Sequence, residues 1–333
     1  MTGLYDEAFV ERLRQGALGL AGQWGLGPGT DVQLLTLSEN ATFLARDPAR
    51  PAPVILRVHR PDYHTRAEIE SELAWIGALR AEGTVDTPEV LELTGGGQIA
   101  AFQDGAQTRH VVGFAFMEGA EPDADARLVP GFEMLGAISA RLHGQARRWH
   151  PPAGFTRKTW NWDTAFGPAP LWGDWRAALG LDPAGQAVLD RLSATLRSRL
   201  AAYGAGPDRF GLVHADLRLA NLLVSGDRLG VIDFDDCGFS WFAYDFAAAI
   251  SFLETEDYIP DLQAAWLRGY RSVAPFGAEH EAMLPTFILF RRLLLTAWIA
   301  SHAETETAAW AGLDAFTQGT VALARAYLAE QPA

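Results

Sequence analysis

Sulfur is scarce in this chain. Its 333 residues hold one cysteine, Cys237, so no disulfide can close within it. Basic charge is also in deficit: 27 Lys and Arg stand against 41 Asp and Glu, a net charge of −14. Phosphate backbones are bound through basic footprints, so nucleic acid is excluded as a partner, and an anionic membrane surface with it. The opening MTGLYDEAFV lacks a basic segment followed by an apolar core, so no signal peptide is expected. The most apolar stretch, 284–300, is interrupted by Arg291 and Arg292. It is read as too short for a membrane span and as a buried helix instead. No internal repeat or low-complexity tract is visible. A soluble, cytoplasmic protein is expected, a monomer or a homodimer.

What is present favours a large core. Hydrophobic residues make up 49% of the chain and eleven are Trp, which excludes disorder on a whole-chain scale. The length suits two domains or lobes. Short apolar or alternating runs at 32–37 and 41–46, parted by Ser38, Glu39 and Asn40, read as two strands joined by a tight turn. Further strands are predicted at 54–58, 88–93 and 111–117, with a Gly-rich turn at 95–97. A helix is predicted over 67–81, ended by Gly83. The rest reads as mainly helical, over 132–148, 183–203 and most of 243–328. Residues 151–174 form a long loop rich in Trp, Pro and Gly. The fold class expected is α+β, with an N-terminal lobe over 1–117, a boundary at 118–122 and a helical lobe over 123–333.

The informative segment is 212–236, LVHADLRLANLLVSGDRLGVIDFDD. An apolar run at 221–224, a turn at 225–228 and a return strand at 229–234 make a β-hairpin. Folding about that turn brings Asn221 across from Ile232 and Asp233. Two oxygen-bearing side chains then meet at the open end of the hairpin, an arrangement suited to a hard cation such as Mg2+. Asp216 lies in the loop that enters the hairpin, where a carboxylate can orient an attacking hydroxyl and accept its proton. His214, two residues earlier, is expected to hold the loop by hydrogen bonding, and Arg218 is taken into the same catalytic set. Each residue alone is more often structural than catalytic. The complete order is specific: His-x-Asp, Asn five residues after the Asp, then an apolar hairpin ending in Ile-Asp-Phe-Asp.

HADLRLANLL and VIDFDD resemble the aminoglycoside phosphotransferase and choline kinase-like family, most closely the branch with type II homoserine kinases and bacterial stress-response kinases. The resemblance runs from about residue 35 to 253. It implies a bilobal protein kinase-like fold, a small N-terminal antiparallel sheet with a helix, and a larger helical lobe. It also implies ATP, or GTP, with Mg2+ as cofactors and a small-molecule hydroxyl as acceptor. Asp216 is then the base, Asn221 and Asp233 hold the metal, and Asp235 joins or orients that site. The position between His214 and Asp216, usually Gly in the family, is Ala215.

The same resemblance assigns residues in the N-terminal part. The cation that holds the α and β phosphates is usually Lys, and here the strand VILRV carries Arg57. Its partner is expected to be Glu72, which falls inside the apolar stripe of Ile69, Leu73, Ile76 and Leu79 and therefore needs one. The loop 38–42, with Ser38 and Asn40, is expected to face the nucleotide. Residues 116–119, with Phe116 and Glu118, resemble the hinge that meets the adenine. Asp245 matches a position that braces the catalytic loop. The Trp-rich segments 159–163 and 171–175, with Trp241 and Tyr244, either pack the loop onto the helices, the favoured reading, or offer aromatic faces and carboxylates to an alkylammonium or amino group. Alternative readings are a protein Ser/Thr kinase of the stress-response type and a nucleotide-binding pseudokinase, the latter resting on Arg57 alone.

Overall fold

The computed structural model describes residues 7–37, 40–122 and 128–330. The chain divides into two compact units. One reaches to Gly119 and takes back His150–Arg157; the other comprises Ala120–Trp149 and the chain from Lys158 onward.

The first unit opens with helix α1 (Glu7–Leu20), followed by strands β1 (Asp31–Leu37), β2 (Ala41–Arg46) and β3 (Val54–Val58). Helix α2 (Arg66–Ala81) and strands β4 (Ile99–Asp104) and β5 (Gln107–Ala115) complete it. The strands form one antiparallel sheet in the order β1-β2-β3-β5-β4. Side chains alternate along a strand. On β3, Val54, Leu56 and Val58 therefore join the core with Leu13, Ala17 and Leu20 of α1 and Trp24. Arg57 takes the opposite face, in register with Thr42 and Val112. Helix α2 starts at a capping box, in which the Thr65 hydroxyl accepts from Glu68 N–H and the Glu68 carboxylate accepts from Thr65 N–H. It stops at Gly83, whose φ of +59° suits glycine. The returning segment is tied to α2, Thr156 N–H donating to Ser71 Oγ and Arg157 to the Glu68 carbonyl.

Two expectations need correction. Residues 88–93 are not a strand. They run beside β5 with one bridge, Val90 to Phe114, and the bonds Leu91 N–H to Gly113 O and Ala115 N–H to Glu89 O. The strand that pairs fully with β5 is β4, joined to it across Gly105 at φ +62°. Helix α1 was also not anticipated. Its signal is the helical spacing of Phe9, Leu13, Ala17 and Leu20, which a strand-weighted reading of this region passes over.

The second unit is helical around two small β pairs. It contains α3 (Leu128–Arg148), α4 (Trp162–Phe166), α5 (Pro183–Tyr203), β6 (Phe210–Val213), β7 (Leu222–Ser225), β8 (Arg228–Val231) and β9 (Gly238–Trp241). Then follow α6 (Tyr244–Ala249), α7 (Ile259–Val273), α8 (Ala278–Glu281), α9 (Leu284–Ser301), α10 (Glu306–Ala311) and α11 (Leu313–Glu330). Strand β6 pairs with β9, and β7 with β8. The segment Ala278–Ser301 is, by length and composition, apolar enough to cross a membrane, contrary to the sequence reading, but 83% of its apolar window is buried in the fold. Helix α9 thus serves as a core helix.

Helices α3 and α7 pack with their backbones close together. A Cβ at Gly136 would meet the Trp266 carbonyl, and one at Gly269 the Glu133 carbonyl. Backbone cannot move aside as a flexible side chain can. Gly136→Ala and Gly269→Ala are each expected to destabilise the protein by about 1–3 kcal/mol in urea unfolding. An unchanged midpoint would show that the helices separate at no cost.

Candidate active site

In the first unit, the sheet and α2 converge on one buried ion pair. Nη2 of Arg57 donates to both carboxylate oxygens of Glu72, each at 2.7 Å. Arg57 is 5% exposed and Glu72 is fully buried. The guanidinium also lies 5.2 Å from the centroid of the Phe114 ring. Ser38 lies outside the described residues. Asn40 is buried, and its Oδ1 accepts the Arg60 N–H at 3.0 Å, so its amide oxygen ties the β1–β2 connection to the end of β3. Phe116 and Glu118 follow β5 and are exposed.

In the second unit, β6 delivers the chain to His214, where the backbone turns sharply. Ala215 has φ +68°, a conformation that L-residues rarely adopt. The turn aims two consecutive N–H groups at the fully buried carboxylate of Asp245: Ala215 N–H reaches Oδ1 at 2.8 Å and His214 N–H reaches Oδ2 at 3.4 Å. His143, from α3, donates from Nε2 to the same Oδ2 at 2.8 Å. Its Nδ1 then accepts the Tyr270 hydroxyl, 3.1 Å away. This fixes His143 as a neutral imidazole with the proton on Nε2. His214 is engaged at both nitrogens, Nε2 with the Ile232 carbonyl at 3.1 Å and Nδ1 with Asp216 N–H at 3.2 Å. Those bonds give it a bracing place rather than one in proton transfer.

Asp216 projects from this braced loop. Its Oδ2 accepts from Arg218 Nε at 3.1 Å and Asn221 Nδ2 at 2.6 Å, and its Oδ1 from Arg291 Nη2 at 2.6 Å. Burial opposes ionisation of the carboxyl, but the guanidiniums of Arg218 and Arg291 outweigh it and hold the pKa below the usual range. Asp216 is therefore an anion at neutral pH.

Asn221 ends a short turn of 3-10 helix, and its carbonyl accepts the Ile232 N–H at 2.9 Å, closing the open end of the β7–β8 hairpin. Its Nδ2 is committed to the carbonyl and Oδ2 of Asp216, which leaves Oδ1 as the atom that could ligate a cation. Asp233 is exposed, at φ +60°, and its Oδ1 accepts from Asp235 N–H at 3.4 Å. Asp235 is buried. An amide oxygen and carboxylates are the donor set of a hard divalent cation, so the residues fit a magnesium site.

Of the two readings of the Trp-rich segment, the packing one holds for its buried indoles. Trp160, Trp172 and Trp175 are buried, and Trp160 and Trp172 pack on each other with centroids 5.0 Å apart. The cation over Trp172 is the chain's own Arg291, 5.2 Å from the ring centroid. Asp174 caps a short turn and pairs with Arg176. Trp241 is a core residue among Phe210, Phe287 and Phe290, and Tyr244 accepts a hydrogen bond from Arg291 at 3.0 Å. Sequence reasoning missed Arg291 and His143 as partners of the loop. A charge inside the apolar run of α9 was the available signal for Arg291.

Comparison with known proteins supplies a family. Residues 32–276 match the phosphotransferase enzyme family. The structure of a microcompartment-associated aminopropanol kinase is 44% identical, with a TM-score of 0.87 over 94% of this chain and 97% of that one. An amicoumacin kinase solved with AMP-PNP and Ca2+ is 20% identical, with a TM-score of 0.76 over 96% and 94% of the two chains, a likeness of fold. The homoserine kinase of Gluconobacter oxydans is 31% identical over 184 residues, 51% of this chain and 54% of that protein.

Two outcomes follow from the braced loop. A left-handed conformation costs an L-residue about 1–2 kcal/mol, while glycine adds about 0.5–1 kcal/mol of freedom to the unfolded chain. Ala215→Gly is therefore expected to raise the unfolding free energy by about 0.5–1 kcal/mol; a loss would show that Ala215 is unstrained. Burial lowers the His143 pKa from its ordinary 6.5, against the opposing effect of the hydrogen bond it donates to Asp245. The unfolded chain thus takes up a proton that the folded chain refuses. This contribution to stability is complete above the unfolded value of 6.5 and is lost as the pH falls from there towards the lower folded value. Unfolding free energy should fall less steeply from about pH 6.5 to 5 in His143→Gln than in wild type; equal slopes would remove His143 as a source.

Proposed function

The chain belongs to the phosphotransferase enzyme family, and from that premise we propose that this kinase transfers the γ-phosphoryl group of ATP, with Mg2+, to the hydroxyl of a short amino alcohol. The observation that carries the acceptor class is the 44% identity to an aminopropanol kinase along almost the whole of both chains. The net charge of −14 suits a cationic acceptor.

The residues then take the following parts. Arg57, held by Glu72, grips nucleotide phosphate, with a guanidinium where lysine is usual. Phe116 and Glu118 meet the base, and Asn40 borders the phosphates through its backbone. Asp216 accepts a hydrogen bond from the acceptor hydroxyl, orients it, and takes its proton as the new O–P bond forms. A depressed pKa suits late proton transfer, because a carboxylate stabilised by two guanidiniums is a weak base. Asn221 and Asp233, with Asp235, would hold Mg2+, which when bound neutralises charge on the phosphates. Arg218 holds Oδ2 of Asp216, and His214 braces the loop.

A coupled assay of ATP consumption tests this reading. The acceptors are 1-amino-2-propanol, ethanolamine, homoserine, an aminoglycoside and a generic protein. Turnover is expected with the amino alcohols. In Asp216→Ala it should fall by about 100- to 10,000-fold with nucleotide binding retained. Asp233→Ala should weaken magnesium-dependent nucleotide binding. Turnover on homoserine or protein alone would overturn the acceptor class, and full activity of Asp216→Ala would overturn the base.

A further inference from the structure

The carboxylate of Asp216 is crowded. A carboxylate offers about four lone-pair positions. Oδ2 has two donors, Arg218 Nε and Asn221 Nδ2, while Oδ1 has one, Arg291 Nη2. The remaining position is on Oδ1, the oxygen that Arg291 grips.

Arg291 is itself 2% exposed, and all three of its nitrogens are engaged. Nε donates to Ser251 Oγ at 3.1 Å, Nη1 to Tyr244 Oη at 3.0 Å and the Ala215 carbonyl at 3.3 Å, and Nη2 to Asp216 Oδ1 at 2.6 Å. Burying a guanidinium is costly, and an apolar residue would pack a core helix more readily. The neighbouring Arg292 has a separate set of partners, Glu254, Thr320 and the Phe316 carbonyl, which fasten α9 to α11 and to the chain after α6. Arg291 instead spans the reacting loop, touching both the carboxylate and the peptide at the left-handed Ala215.

Two anchors on one oxygen do not hold a carboxylate. The terminal torsion of Asp is broad and roughly two-fold, so a group pinned only at Oδ2 can swing Oδ1. A donor on Oδ1 removes that freedom. We propose that Arg291 is a positioning residue for phosphoryl transfer, which fixes Oδ1 of Asp216 so that its remaining lone pair meets the acceptor hydroxyl. The proposal rests on Asp216 being the residue that faces the acceptor. A displacement on the order of 1 Å at such a centre costs about 100-fold in rate.

The test is a double-mutant cycle on the full-length protein, read on whichever acceptor the wild type turns over, so that a wrong acceptor class leaves it intact. Arg291→Met should lower kcat by about 100-fold, with nucleotide affinity unchanged. It should cause no further loss in an Asp216→Asn background. Arg291→Lys, which keeps the charge but not the fork, should recover part of the rate. Wild-type kcat in Arg291→Met overturns the proposal, as does an equal loss in both backgrounds, the sign of a general structural role. If Arg291→Met fails to fold by circular dichroism, Arg291→Lys decides: a reduced kcat at unchanged nucleotide affinity is expected, and a wild-type kcat overturns the proposal. A crystal structure of Arg291→Lys gives a readout free of any acceptor. A shifted Oδ1 with Oδ2 still held by Arg218 and Asn221 is expected, and an unmoved carboxylate overturns it.

Discussion

The buried carboxylate of Asp245 is the constraint on which the loop carrying Asp216 depends. It accepts the backbone N–H groups of His214 and Ala215 and the Nε2–H of His143. A lone buried carboxylate would be intolerable in such surroundings. Three donors make it acceptable, and in return it holds the chain in a left-handed turn that alanine would not choose. The direction in which Asp216 leaves the loop follows from that turn. Tyr270 and His143 extend the support into α7 and α3, whose glycine-lined contact brings their backbones together. Helix packing is therefore coupled to the orientation of one carboxylate.

Ionic groups are placed sparingly in this core, and each of those described sits where something must be held still. Glu72 takes Arg57 in a fork on the face of the sheet away from α1. Arg292 and Glu254 join α9 to the chain after α6. Arg291 and Asp216 pair at the loop that Asp245 braces. Losing one member of a buried pair costs about 3–5 kcal/mol, so such pairs specify geometry more firmly than they add stability. The Trp-rich segment belongs to the same economy of position. Its indoles pack as core, and Trp172 supports the guanidinium that grips Asp216.

Much of the candidate site was legible in sequence because it is local. His214, Asp216 and Asn221 lie on the segment leading into the β7–β8 hairpin and Asp233 just beyond it, and a hairpin's register follows from its turn. Arg57 and Glu72 were legible because two periods meet in them, alternation on β3 and the apolar stripe on α2. Strand β4 and helix α1 were not. The run at 88–93 is apolar enough to read as a strand but makes a single bridge among the described residues, and composition does not report what pairing a neighbour offers. The Trp-rich loop left two readings open for a related reason: composition supplies aromatic faces without saying what lies over them.

Contiguous residues were enough to identify the family, the order of the candidate catalytic motif and most of the strands and helices that carry it. Only the tertiary structure decided which buried polar groups meet. Asp216 and Arg291 are 75 residues apart, His143 and Asp245 are 102, and His143 and Tyr270 are 127. No local period encodes such a pairing. It is set by how α3, α7 and α9 pack, where a buried donor must find an acceptor or leave the core.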